Sequence, residues 1–172
     1  GKSPILEEDD IIVAETGAII EYVIETHGGG RLKPAKGTPE ARAWTYWMHY
    51  AEGSLMPPLV MRLVFEKVKT SPMPFFIKPI AKGISDKTNQ IFIGPMIKTH
   101  LDFVESQLAK NTWFLGEQLS AADIQMSFPL EASVARGIVG NDRPNIKAWV
   151  ARVHARPAYQ RALEKGGDYD FA

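Results

Sequence analysis

At 172 residues the chain has room for one or two small domains, and a chain of that size buries roughly 70% of its unfolded surface. Its 45% hydrophobic and 23% charged residues fit a globular protein rather than a disordered one, and twenty basic against twenty acidic side chains point to neither nucleic acid nor an anionic membrane as partner. The absence of cysteine excludes disulfides, thiolate metal sites and a catalytic cysteine within these residues; no apolar run reaches the roughly 18 residues that span a bilayer, and a cytoplasmic location is the expectation.

The opening Gly1-Lys-Ser-Pro4 reads as the interior of a longer protein. Pro4–Glu7 and Ile11–Val13 flank the acidic turn Glu8-Asp9-Asp10 and predict a β-hairpin. Thr16, Ile19, Ile20, Val23 and Ile24 recur at helical spacing, and Gly28-Gly29-Gly30 ends that helix. Residues 31–37, with Pro34 and Gly37, predict a linker.

Thr38-Pro39-Glu40 is a helix start, with a capping hydroxyl, proline at the first helical position and an acid facing the dipole. Trp44, Trp47, Met48, Ala51 and Leu55 form its apolar face, a stripe expected in the core. Tyr50, Met56 and Arg62 stand beside it as candidates to line an open hydrophobic pocket. Pro57-Pro58 should kink or interrupt this helix, because each proline removes a donor and crowds the preceding turn. The proline-rich stretch Ser71–Ile80 predicts irregular structure, and Ile93, Ile97, Leu101, Val104 and Leu108 a long helix opened or bent at Pro95.

Phe114-Leu-Gly-Glu-Gln-Leu-Ser-Ala-Ala-Asp-Ile124 carries an apolar pair, a glycine turn and a capping box. The Ser120 hydroxyl accepts from the third helical N–H, and the Asp123 carboxylate reaches back to the Ser120 N–H. That spacing explains Ser120 and Asp123 as a structural cap. Pro144 and Pro157 each open one of the last helices. The histidines at 27, 49, 100 and 154 have neither i,i+4 pairing nor an acidic ligand set, so no metal is expected.

Taken together, Gly1–Glu7, Ile12–Val23, Phe114–Ile124, Pro144–Trp149 and Arg156–Tyr159 resemble, in order and spacing, segments of the glutathione S-transferases. The run from Glu52 to Pro57 is similar to bacterial and fungal members. The resemblance implies an α+β fold, the C-terminal part of a thioredoxin-like domain (1–30), a linker (31–37) and an all-helical C-terminal domain (38–172). It also implies glutathione as co-substrate, no other cofactor, and a glutathione-binding set of Lys2, Ser3, Pro4, Glu15 and Thr16. Thr16 would hold the γ-glutamyl carboxylate at a helix N-terminus and Glu15 would face the ammonium. The Ser3 backbone, turned outward by a cis Ser3-Pro4 bond, would pair with the cysteinyl moiety, and Lys2 would reach the glycyl end.

The group that activates the thiol precedes the segment matched by Gly1, so the catalytic residue is unknown and an upstream segment of roughly 40–50 residues is expected. The implied activity is conjugation of the glutathione thiolate to a hydrophobic electrophile, in a homodimer whose helix after Glu15 packs near the partner's first long helix. Neither nucleic acid nor membrane is an expected partner. The alternatives are a non-catalytic assembly module of the same fold or a glutathione-dependent disulfide reductase.

Overall fold

A computed structural model describes residues 4–171. The chain opens with an antiparallel hairpin, β1 (Ile5–Glu8) and β2 (Ile11–Ala14), in which Ile5 pairs with Ala14 and Glu8 with Ile11. Asp9, at φ 50°, makes the tight turn. Helix α1 (Thr16–His27) follows at once and buries Ile24 towards the helical part of the molecule. Tyr22 and His27 both reach back to Glu8, at 2.6 and 3.0 Å, fastening α1 to the hairpin.

The connection after α1 is pinned rather than loose. Leu32, at φ 65°, offers its carbonyl to the indole N–H of Trp44 at 3.2 Å and to the N–H of Ala121 at 2.9 Å. Thr38 then caps α2 (Pro39–Tyr50), accepting from the Ala41 N–H at 3.1 Å. Trp44, Trp47 and Met48 are buried, as their spacing predicts. The Trp47 ring lies 4.5 Å from Phe114 and 5.4 Å from Phe103, centroid to centroid, and Phe114 meets Trp149 at 5.3 Å. These rings anchor one continuous core across the helices.

Pro57 and Pro58 do not interrupt the helix. A π-helical turn at Ala51–Leu55 precedes them, with the Met56 N–H reaching the Ala51 carbonyl, and α3 (Met56–Thr70) continues with both prolines in its first turn. The wider turn absorbs the lost donors where a regular helix would break.

The irregular stretch ends at Ile77 rather than Ile80, because α4 (Lys78–Thr88) begins there with Pro79 in its opening turn. A second π-helical turn, Asn89–Ile93, leads into α5 (Gly94–Leu108), where Pro95 sits in the first turn. Helices α6 (Ala121–Ala135), α7 (Pro144–His154) and α8 (Pro157–Gly166) complete the fold.

The capping box at Ser120 and Asp123 is formed, and it does more than cap. Asp123 Oδ2 accepts from the Ser120 N–H and from the Ser120 hydroxyl, each at 2.9 Å. Oδ1 accepts from the Phe114 N–H at 2.9 Å and from the Trp149 indole at 3.3 Å. One carboxylate thus joins the turn before α6, the start of α6 and the middle of α7. Burial pushes its pKa up, and the four donors pull in the opposite direction.

Candidate functional site

The end of β2 and the start of α1 are joined by one residue, Glu15. Its backbone takes φ 75° and ψ 125°, a conformation that costs a non-glycine residue about 1–3 kcal/mol. This reversal lets the strand pass directly into the helix, and the Glu15 carbonyl accepts the Ile19 N–H at 2.9 Å. The N–H groups of Thr16, Gly17 and Ala18 precede that first helical bond and have no acceptor among the described residues. They form a set of donors at the positive end of the helix dipole, a geometry suited to a carboxylate.

Thr16 and Glu15 are both exposed, and neither side chain caps α1. Pro4 directly precedes β1 and Glu15 directly follows β2, whose paired ends are Ile5 and Ala14. The structure therefore brings Pro4, Glu15 and Thr16 together at one end of the hairpin. Lys2 and Ser3 lie outside the described residues.

Two further side chains belong to this neighbourhood, and their spacing in the chain does not announce them. Glu52, in the first π-helical turn, has its pKa pushed above the ordinary 4.5 by desolvation and, second, by the negative charge of Glu15. Gln125 of α6 is 3% exposed and packs beneath the first turn of α1, its amide nitrogen 4.0 Å from where a Cβ on Gly17 would stand. Its buried Oε1 has no hydrogen-bond partner among the described residues. The only early sign of Glu52 is its place at the head of the Glu52–Pro57 run.

Tyr50 does not line an open pocket. It is buried beside Trp47 and Phe103, and its hydroxyl is 2.7 Å from Nδ1 of His100; desolvation drives its pKa well above the usual phenol range. Met56 and Arg62 are half-buried, and Met56 packs on the core. An open, largely apolar cleft of about 700 Å³ exists elsewhere, lined by Val23, His27, Ile124, Ser127, Val153 and Tyr159 among others. It meets α1 at its C-terminal end, away from Glu15 and Thr16. Among the described residues, no three His, Asp or Glu side chains gather into a metal-binding group.

Residues 95–157 match the family model for the glutathione S-transferase C-terminal domain. Glutathione S-transferase 1 of Saccharomyces cerevisiae is 35% identical over 173 residues, spanning 96% of this chain and 74% of the yeast protein. Glutathione S-transferase 3 of Schizosaccharomyces pombe is 32% identical, spanning 98% of this chain and 69% of its own length. Among solved structures, a glutathione S-transferase from Actinobacillus pleuropneumoniae superposes with a TM-score of 0.74 at 27% identity, over 96% of this chain and 69% of that one. The bacterial transferase BphK superposes with a TM-score of 0.72 at 27% identity, over 97% and 75% of the two chains. The chain belongs to the glutathione S-transferase family. Its fold is the one the resemblance implies, a small two-stranded remnant of the thioredoxin-like sheet followed by helices.

Proposed function

We propose that this chain binds glutathione at the start of α1 and serves an enzyme that adds the glutathione thiolate to a hydrophobic electrophile. The observation that carries the reading is the strained Glu15 joint, with three amides behind it that have no acceptor among the described residues. A γ-glutamyl group is a zwitterion. Its carboxylate suits the N–H groups of Thr16, Gly17 and Ala18 with the Thr16 hydroxyl, and its ammonium suits Glu15, with Glu52 as a second acid close by. The Ser3 backbone, set by its bond to Pro4, would pair with the cysteinyl moiety, and Lys2 would reach the glycyl end or the backbone. Conjugation also needs a group that lowers the thiol pKa of glutathione so that a nucleophile exists at neutral pH.

A non-catalytic module has no use for a strained acid at the head of α1, which favours the enzymatic reading. The proposed cytoplasmic location accords with the absence, among the described residues, of any helix long and apolar enough to cross a membrane. For the proposed homodimer, the exposed stripe Val60, Val64 and Val68 along α3 offers an apolar face for a second copy to cover.

Titration calorimetry with glutathione tests the site. Thr16→Ala should weaken binding by about 1–2 kcal/mol, as for a lost hydrogen bond to a charged group. Unchanged affinity would reject the assignment of Thr16.

A further inference from the structure

The tip of the α3–α4 hairpin carries large apolar side chains that nothing in the fold covers. Phe75 is 84% exposed, Phe76 63%, Ile80 63% and Ile84 57%. Single exposed apolar residues are ordinary, but a contiguous cluster marks a contact surface. The two rings pack edge to face at 5.6 Å, and a turn closed by the Ile77 N–H on the Pro74 carbonyl at 3.0 Å presents them. Pro72, Pro74 and Pro79 stiffen the approach, so the rings are held out with little freedom left to lose on contact.

The zero net charge of the whole chain conceals a basic segment at this tip. Residues 67–87 hold Lys67, Lys69, Lys78, Lys82 and Lys87 against a single acid, Asp86, for a net charge of +4. Asp86 is engaged by Lys69 at 2.9 Å, and Glu66 lies 3.6 Å from the same lysine. Lys67, Lys78, Lys82 and Lys87 have no carboxylate partner among the described residues. Ile77 at the N-cap of α4 and Ile80 and Ile84 within it fall on one face and Lys78 and Lys82 on another, the pattern of a helix that lies along an apolar–polar boundary. The fifteen residues of α3 set the tip about 22 Å beyond the π-helical turn that holds Glu52, clear of the start of α1.

We propose that this tip docks peripherally on an anionic lipid bilayer, with Phe75 and Phe76 entering the headgroup boundary and the unpaired lysines facing the acidic headgroups. Aromatic insertion and lysine attraction reinforce each other, and either alone gives only weak, reversible attachment. No spanning helix is involved. The +4 tip also disfavours tip-to-tip contact between two copies of the chain, since two such tips repel each other.

Flotation of the protein with phosphatidylcholine vesicles containing about 30% phosphatidylserine tests the proposal. Binding should exceed that to pure phosphatidylcholine by about tenfold and fall with added salt. The double variant Phe75→Ser, Phe76→Ser should lower it by about tenfold, and Lys78→Gln with Lys82→Gln should bring it near the neutral-vesicle level. Both pairs are exposed, so melting temperature and sedimentation mass should match the parent protein. No flotation on the anionic vesicles, equal binding to neutral ones, or undiminished binding by the phenylalanine variant would overturn the proposal. So would a change of sedimentation mass in that variant, which would assign the patch to contact between copies.

Discussion

The indole N–H of Trp149 in α7 donates to Oδ1 of Asp123 in the first turn of α6, 26 residues earlier, at 3.3 Å. The same oxygen receives the Phe114 N–H, so a residue whose spacing reads as a local cap holds together three separate segments. A carboxylate buried to 1% exposure is unfavourable in itself, and four donors are what make it tolerable.

Asp123→Ala should therefore cost about 3–5 kcal/mol of stability, since it leaves several buried donors unpaired. Asp123→Asn should restore little, because each oxygen accepts from two donors and an amide nitrogen at either place would face N–H or O–H groups. Chemical denaturation measures both. Glutathione affinity, measured on the folded protein, should be unaffected, and a loss of affinity would mean that Asp123 also shapes the site.

Gly94 follows the second π-helical turn, and a Cβ there would stand 2.7 Å from the Asn89 carbonyl oxygen. That neighbour is backbone, so it cannot swing aside. Gly94→Ala should destabilise the protein by about 1–3 kcal/mol. Gly83→Ala, in the middle of α4 with nothing within 4 Å of the added methyl, should instead stabilise it by about 0.5–1 kcal/mol. Paired thermal melts compare them directly.

The features legible in the sequence are those fixed by neighbouring residues. The hairpin, the Thr38 cap, the prolines that open α7 and α8 and the box at Ser120 are all written within a few positions. The features that were not legible depend on partners far along the chain. Helix α4 carries an apolar stripe, Ile80 and Ile84 beside Ile77, but turns it outward and buries little beyond Ser85, and the prolines at 72, 74 and 79 mask its start. The start of α7 is capped by Glu105, whose two carboxylate oxygens take the N–H groups of Asn145 at 3.0 Å and Ile146 at 2.9 Å from 40 residues away. In the candidate site, Glu15 and Thr16 stand out because they begin a helix. Glu52 and Gln125 arrive there only through packing of the helices against α1.

Glu15 separates strain from binding. Glu15→Gly relieves the positive φ, so its melting temperature should equal or exceed that of the parent protein. Glu15→Ala keeps the strain and should gain nothing. Both lose the carboxylate, and both should bind glutathione about ten- to a hundredfold more weakly, the scale of a hydrogen bond between charged groups. Calorimetry of the glycine variant decides the matter: full affinity would show that Glu15 serves only the chain reversal.

Glu52 sets a pH dependence. Its pKa is raised in the folded protein, by partial desolvation first and by Glu15 second, so folding disfavours its ionised form. Stability contributed by this group is accordingly present at low pH and lost as the pH rises through the raised pKa. Attraction for a ligand ammonium runs the other way, being complete above that pKa and fading as the pH falls through it. Glu52→Gln should thus melt at a higher temperature than the parent at pH 7 while binding glutathione more weakly. Between pH 7 and the ordinary carboxylate pKa of 4.5, glutathione affinity of the parent should decline more steeply than that of Glu52→Gln. Parallel slopes for the two proteins would remove Glu52 from the ammonium site and leave Glu15 as its acid.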